Sequence, residues 1–212
     1  MTISTLRTMY NAVVAKVNRV NGDTTSFSST GREQLEDFDT LINHRDGRVR
    51  QICAWHGRDK DLDILVNDPN MYVRVAVAEH ERDKDLDILV NDPNPHVRAV
   101  VAQQGRDKDL DVLVHDPHTY VRIVVAQQGR DKDLDVLVHD RNTDVRAVVA
   151  QQGRNKDLDE LVSDPAVYVR ASVARVGRQK DINVLIGDPS ERVQSTLRAV
   201  LHNKLLYRKL NS

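Results

Sequence analysis

The sequence predicts an all-α solenoid of seven 24-residue helix-turn-helix repeats. Three observations carry that expectation. Val-Arg recurs at Val49-Arg50, Val73-Arg74, Val97-Arg98, Val121-Arg122, Val145-Arg146 and Val169-Arg170, always 24 residues apart, and Val193-Gln194 completes the series. Each copy holds two apolar clusters at helical spacing, separated by turn residues. Aromatic residues make up only 4% of the chain, so Ala, Val and Leu supply most of the apolar surface, as thin elements that stack closely require.

The elements follow in order. Residues 1–32 offer an amphipathic helix over about 3–20 and a polar linker, expected to cap the stack. Repeats run over 33–56, 57–80, 81–104, 105–128, 129–152, 153–176 and 177–200, and residues 201–212 are expected to continue the last helix as a C-terminal cap. In the repeat 105–128, Gly105 should end the preceding helix in the left-handed conformation. Asp107 is the expected N-cap of the first helix, with Asp109 in its first turn and Leu110, Val112, Leu113 and Val114 as its apolar body. Asp116 is expected to cap the second helix with Pro117 at its first position, and Val121, Val124 and Val125 form that helix's buried stripe. The first helix is short enough to take partly 3-10 form. At the ends, His44 replaces the recurring Asp and Gln194 the recurring Arg.

Composition narrows the functions. The formal net charge of -1 argues against nucleic-acid binding through net electrostatics. A single cysteine, Cys53, excludes a disulfide framework and any cysteine-based metal or iron–sulfur site. Arg7, Lys16 and Arg19 interrupt the first twenty residues, and no stretch approaches a membrane span, so a cytoplasmic protein is expected.

The run Asp92-Pro93 through Val97-Arg98 to Val101-Ala102 resembles two related groups, HEAT-like repeats and the leucine-rich repeat variant family. The resemblance covers residues 33–200. It implies a right-handed superhelix, with alternating α and 3-10 helices in the variant family. That architecture can accompany an iron–sulfur cluster held by a cysteine cluster, which this chain lacks, so no cofactor is carried over. HEAT-like repeats also build certain alkyl-base DNA glycosylases and bilin lyases, but no motif here supports either activity.

Two charged series weigh on function. Arg50, Arg74, Arg98, Arg122, Arg146 and Arg170 can form a basic ladder for an acidic ligand, or pair with Asp68, Asp92, Asp116, Asp140 and Asp164 at the seams between repeats. Planar guanidinium groups suit the second role, which the resemblance also favours. Arg58, Arg82, Arg106, Arg130, Arg154 and Arg178, with the lysines two residues on, are expected to form an exposed edge whose field interleaved aspartates cancel. His115 and His139 are equivalent positions that follow from duplication, and with His118 nearby they form no compact metal motif. Cys53 is expected to be a small buried hydrophobe and Trp55 to pack under the N-terminal helix. No singular nucleophile, acid–base pair or phosphate loop stands out, so no catalytic residue is expected.

The positions that vary inside an otherwise fixed unit are more telling. Tyr72, His96, Tyr120, Asp144 and Tyr168 open the second helices, followed by the variable Val75, Ala99, Ile123, Ala147 and Ala171. Together with Gln103, Gln127 and Gln151 they fit an interface, and equally neutral drift at exposed positions. The leading expectation is a non-catalytic protein-binding scaffold using this face, with no cofactor, no metal and no membrane partner. The alternative is nucleic-acid or acidic-ligand binding along the Arg/Lys edge; a HEAT-like glycosylase ranks last.

Overall fold

The computed structural model describes residues 39–210, except the side chains of residues 204 and 206–210. The expected N-terminal helix and linker, 1–32, lie outside the described residues. The chain divides into two compact units between Val101 and Ala102. Among the described residues the only regular structure is helical.

The first unit contains α1 (Gly47–His56), α2 (Asp59–Leu65), α3 (Met71–Ala78), α4 (Asp83–Leu89) and most of α5 (Pro95–Gln103). The second contains α6 (Asp107–Leu113), α7 (Thr119–Gln128), α8 (Asp131–Leu137), α9 (Thr143–Gln152), α10 (Asn155–Leu161), α11 (Val167–Val176), α12 (Gln179–Leu185) and α13 (Glu191–Leu210). Second helices stack on one another: α1 on α3 in the first unit, and α7 on α9, α9 on α11 and α11 on α13 in the second. Within a unit the first helices pack against the second helices beside them in sequence, as α2 does against α1 and α3, and α8 against α7 and α9. This is a repeat solenoid, because no single repeat can bury its own apolar stripe.

Leu110, Leu113 and Val114 are buried at i, i+3 and i+4, as are Val121, Val124 and Val125 on the second helix. Val112, expected in the core, is 53% exposed. Two residues on from Leu110 is about 200° around the helix, so its side chain leaves the core face. The first helices are α in their bodies: Leu62 N–H donates to the Arg58 carbonyl and Val66 N–H to that of Leu62, both at 3.0 Å. Bonds of 3-10 type are confined to the ends, from Asp61 to Arg58 and from Asp68 to Leu65.

Helix starts differ from expectation, helix ends agree with it. The first helices are capped by the backbone of Arg58, Arg82, Arg106, Arg130, Arg154 and Arg178, so Asp107 is the first helical residue rather than the cap. The second helices are capped by Asn70, His118 and Asn142, whose side chains accept from Tyr72, Tyr120 and Asp144 N–H. Asp116 lies two residues earlier and accepts the His118 N–H at 2.8 Å, so it shapes the turn that Pro117 occupies. Gly129 ends α7 at φ +72, and a Cβ there would lie 3.2 Å from Gln152 Oε1 at the end of α9.

The last repeat is built differently. Arg198 stands where Ala126, Ala150 and Ala174 are fully buried, and it pairs with Glu191. Gln194, in place of the recurring Arg, donates to the Leu185, Ile186 and Asp188 carbonyls. Ile186 is 66% exposed, whereas Val138 and Val162 at the same place in earlier repeats are 5% and 9% exposed.

Candidate interaction surface

The first Arg series is a set of seams. Arg122 places Nε 2.6 Å from Asp140 Oδ2 and Nη2 2.9 Å from Oδ1, a two-pronged pair reaching the following repeat. Its Nη1 donates to the Asp116 carbonyl of its own turn at 2.8 Å. Asp140 Oδ1 also accepts the Asn142 N–H at 2.8 Å. The same forward pairing joins Arg50 to Asp68 and Arg74 to Asp92 in the first unit, and Arg146 to Asp164 and Arg170 to Asp188 in the second. Arg98 donates to the Asp92 carbonyl at 2.7 Å. Burial pushes the Asp140 and Asp164 carboxyls up, but the guanidinium and backbone donors outweigh it and hold both below the usual carboxylate range.

The second Arg series overturns the expected exposed edge. Arg130 grips Asp133 with Nε at 2.7 Å and Nη2 at 2.6 Å, and its Nη1 reaches back to the Asp107 carbonyl of the preceding repeat at 2.9 Å. Its side chain is 16% exposed, and that of Asp133 is 3% exposed. Arg58, Arg82, Arg106, Arg154 and Arg178 hold Asp61, Asp85, Asp109, Asp157 and Asp181 in the same way, and each of those aspartates is buried. A buried carboxylate needs a counter-charge and donors, which the Arg three residues before it supplies. The signal was present as a recurring Arg-x-x-Asp, but sequence alone does not show that the Asp is buried. Only the lysines behave as expected: Lys132 and Lys156 are exposed and bridge Asp111 and Asp135, each at 2.5 Å.

The second-helix face remains. Tyr72, His96, Tyr120, Asp144 and Tyr168 are exposed at its start, and Gln103, Gln127 and Gln151 at its end. The middle positions do not belong to it. Ala99, Ala147 and Ala171 are buried, while Val75 and Ile123 are half-buried, because a residue there falls between neighbouring second helices. Gln127 and Gln151 have no side-chain hydrogen bond among the described residues, so their carboxamides offer a donor and an acceptor to a ligand. Arg192 lies over the Tyr168 ring at 5.0 Å from its centroid.

The remaining candidates are accounted for locally. Among the described residues no cluster of His, Cys, Asp and Glu can hold a metal, and no helix is long and apolar enough to cross a membrane. His139 pairs with Glu160 at 2.8 Å, and His118 is a helix cap. Burial pushes the Cys53 thiol up to about 12, so it is no nucleophile. Trp55 Nε1 donates to Glu79 Oε2 at 3.3 Å. An open cleft of about 430 Å³ in the second unit is walled by the Arg146–Asp164 and His139–Glu160 pairs, whose polar groups already satisfy one another.

No protein-family model matches the chain, and no curated protein matches it. Among solved structures it is similar to one described as a leucine-rich repeat variant with a novel repetitive protein structural motif. The two share 27% identity and a TM-score of 0.68, over 78% of this chain and 70% of the other. This chain therefore has the architecture of a leucine-rich repeat variant.

Proposed function

We propose that the chain is a non-catalytic, cytoplasmic protein-binding scaffold, and that its partner docks on the exposed ends of the second helices. One observation carries this reading: the varying positions at the second-helix ends are exposed, and Gln127 and Gln151 among them make no side-chain hydrogen bond among the described residues. Both Arg series are spent on joining repeats, and the lysines are neutralised by aspartates of the preceding repeat. Tyr168, Gln127 and Gln151 remain exposed in a row set by the repeat period. Tyrosine supplies contact area at low entropic cost, and carboxamides pair with a peptide backbone in either direction.

The Arg/Lys edge gives nucleic acid little, because its charges are paired and no aromatic residue lies between them. The test is capture from the native host with the intact chain and with a Tyr120→Glu, Tyr168→Glu variant, followed by mass spectrometry. A partner retained by the first and lost by the second, at unchanged helicity, is the expected result. Identical captures by both would remove this face from consideration.

A further inference from the structure

We infer that the outer face of α11 and the first turn of α13 recognise an acidic, extended protein segment. Arg175 and Arg192 meet its carboxylates, and Tyr168 meets an apolar side chain between them. The inference rests on the scaffold reading above and specifies the chemistry of the partner.

The first support is a contrast among arginines. In the second compact unit Arg106, Arg122, Arg130, Arg146, Arg154, Arg170, Arg178 and Arg198 all sit in ion pairs. Arg141, Arg175 and Arg192 are exposed and form no ion pair among the described residues; Arg141 belongs to the turn before α9, whereas Arg175 and Arg192 lie on α11 and α13 with Tyr168. A repeat array that pairs its arginines so regularly, yet leaves Arg175 and Arg192 open beside Tyr168, keeps two guanidinium groups available there for an anion.

Geometry adds specificity. Arg192 lies over the Tyr168 ring, which helps hold the guanidinium in place, and a guanidinium so held suits a two-pronged carboxylate contact. Arg192 also occupies the first turn of α13, where the helix dipole disfavours a cation, so an incoming carboxylate relieves an unfavourable arrangement. Tyr168 and Arg175 are two turns apart on one face of α11, about 10 Å along the axis. An extended chain rises about 3.3 Å per residue and alternates its side chains, so carboxylates that face both arginines stand an even number of residues apart, about four, with an apolar residue midway on the same face.

The same positions in the preceding repeats of this unit are Tyr120 with Gln127 and Asp144 with Gln151, and none of these is basic. The acidic preference therefore belongs to the α11–α13 end. A nucleic-acid strand is disfavoured there, because it needs a run of cations, and only two are present with Asp144 in the same column.

Fluorescence anisotropy on the full chain tests this with three labelled probes. One is a peptide of about ten residues carrying two glutamates four apart with a phenylalanine midway between them. The second replaces both glutamates with glutamine, and the third is a thymidine strand of similar length. The acidic peptide should bind at least about tenfold tighter than either other probe and weaken with salt. Arg175→Gln and Arg192→Gln should each reduce that affinity severalfold, and together about tenfold, at an unchanged thermal midpoint. Equal binding of the glutamine peptide, tighter binding of thymidine, or indifference to both substitutions would overturn the inference. If the host partner is still captured by the doubly substituted chain yet lost with Tyr120→Glu, Tyr168→Glu, the scaffold reading survives and only its acidic specificity falls.

Discussion

Arg122 shows how one side chain can serve both its own turn and the next repeat. Three of its nitrogens are used, two on Asp140 and one on the Asp116 carbonyl, and the residue is 5% exposed. Arg122→Ala leaves a buried carboxylate without its cation, a change that typically costs about 3–5 kcal/mol. Equilibrium urea unfolding should show the loss directly, and Arg122→Lys should recover only part of it, since an ammonium cannot reproduce the forked contact. Ser172 is the opposite case. It is 2% exposed with no side-chain hydrogen bond among the described residues, at a position where Val124 and Val148 stand in other repeats. Ser172→Val should raise the unfolding midpoint, by about 1 kcal/mol, because an unpaired buried hydroxyl is replaced by packing already tolerated nearby. At this scale the Val-Arg series was legible as seams, since planar cations and aspartates recur in step. The burial of Asp133 and its equivalents was not, because an Asp in the first turn of a helix reads equally well as a solvated partner of the dipole.

The second helices end where the sequence says and begin a little later than it says, whereas the first helices begin one residue earlier. Glycine at the repeat boundary is an unambiguous signal, since few other residues adopt positive φ. One repeat breaks the rule: Glu81 takes φ +57 where most other repeats carry glycine. Glu81→Gly should therefore stabilise the chain by up to about 1 kcal/mol, read as a higher urea midpoint; a lower midpoint would show that Glu81 makes contacts outweighing its backbone strain. Starts were harder to read because Asp116 and His118 can both cap, and Asp-Pro is as good a turn as it is a helix opening. Val112 was misplaced for a related reason. A seven-residue helix buries only one side, and four apolar residues in five do not reveal which one turns outward.

Across the whole chain, charge does two jobs that composition cannot separate. A net charge of -1 hides buried, paired arginines inside the repeats and a few unpaired ones on the surface. The paired set predicts a pH response. Asp140, Asp164 and Asp188 have carboxyls held below their ordinary values, so the stability they contribute is complete above about pH 4 and is lost as pH falls through their folded-state values. His56 is lowered mainly by burial, so its contribution is complete above about pH 6.5 and fades as pH drops below that. Thermal midpoints recorded from pH 8 down to pH 3 should decline gently at first and steeply below about pH 4. A flat profile would mean that the seams contribute little.

The period, and with it the architecture, was readable because duplication leaves every repeat carrying the same instructions. The binding face was readable only in outline, because variation marks Tyr168 and buried Ala171 alike. The central claim is that arginines paired within the stack hold it together, whereas the unpaired ones are free for a partner. The most direct measurement is the urea midpoint of Arg130→Ala beside that of Arg175→Ala. The account predicts a clear drop for Arg130→Ala, which strands buried Asp133, and no change for Arg175→Ala. Equal midpoints for the two variants would contradict it.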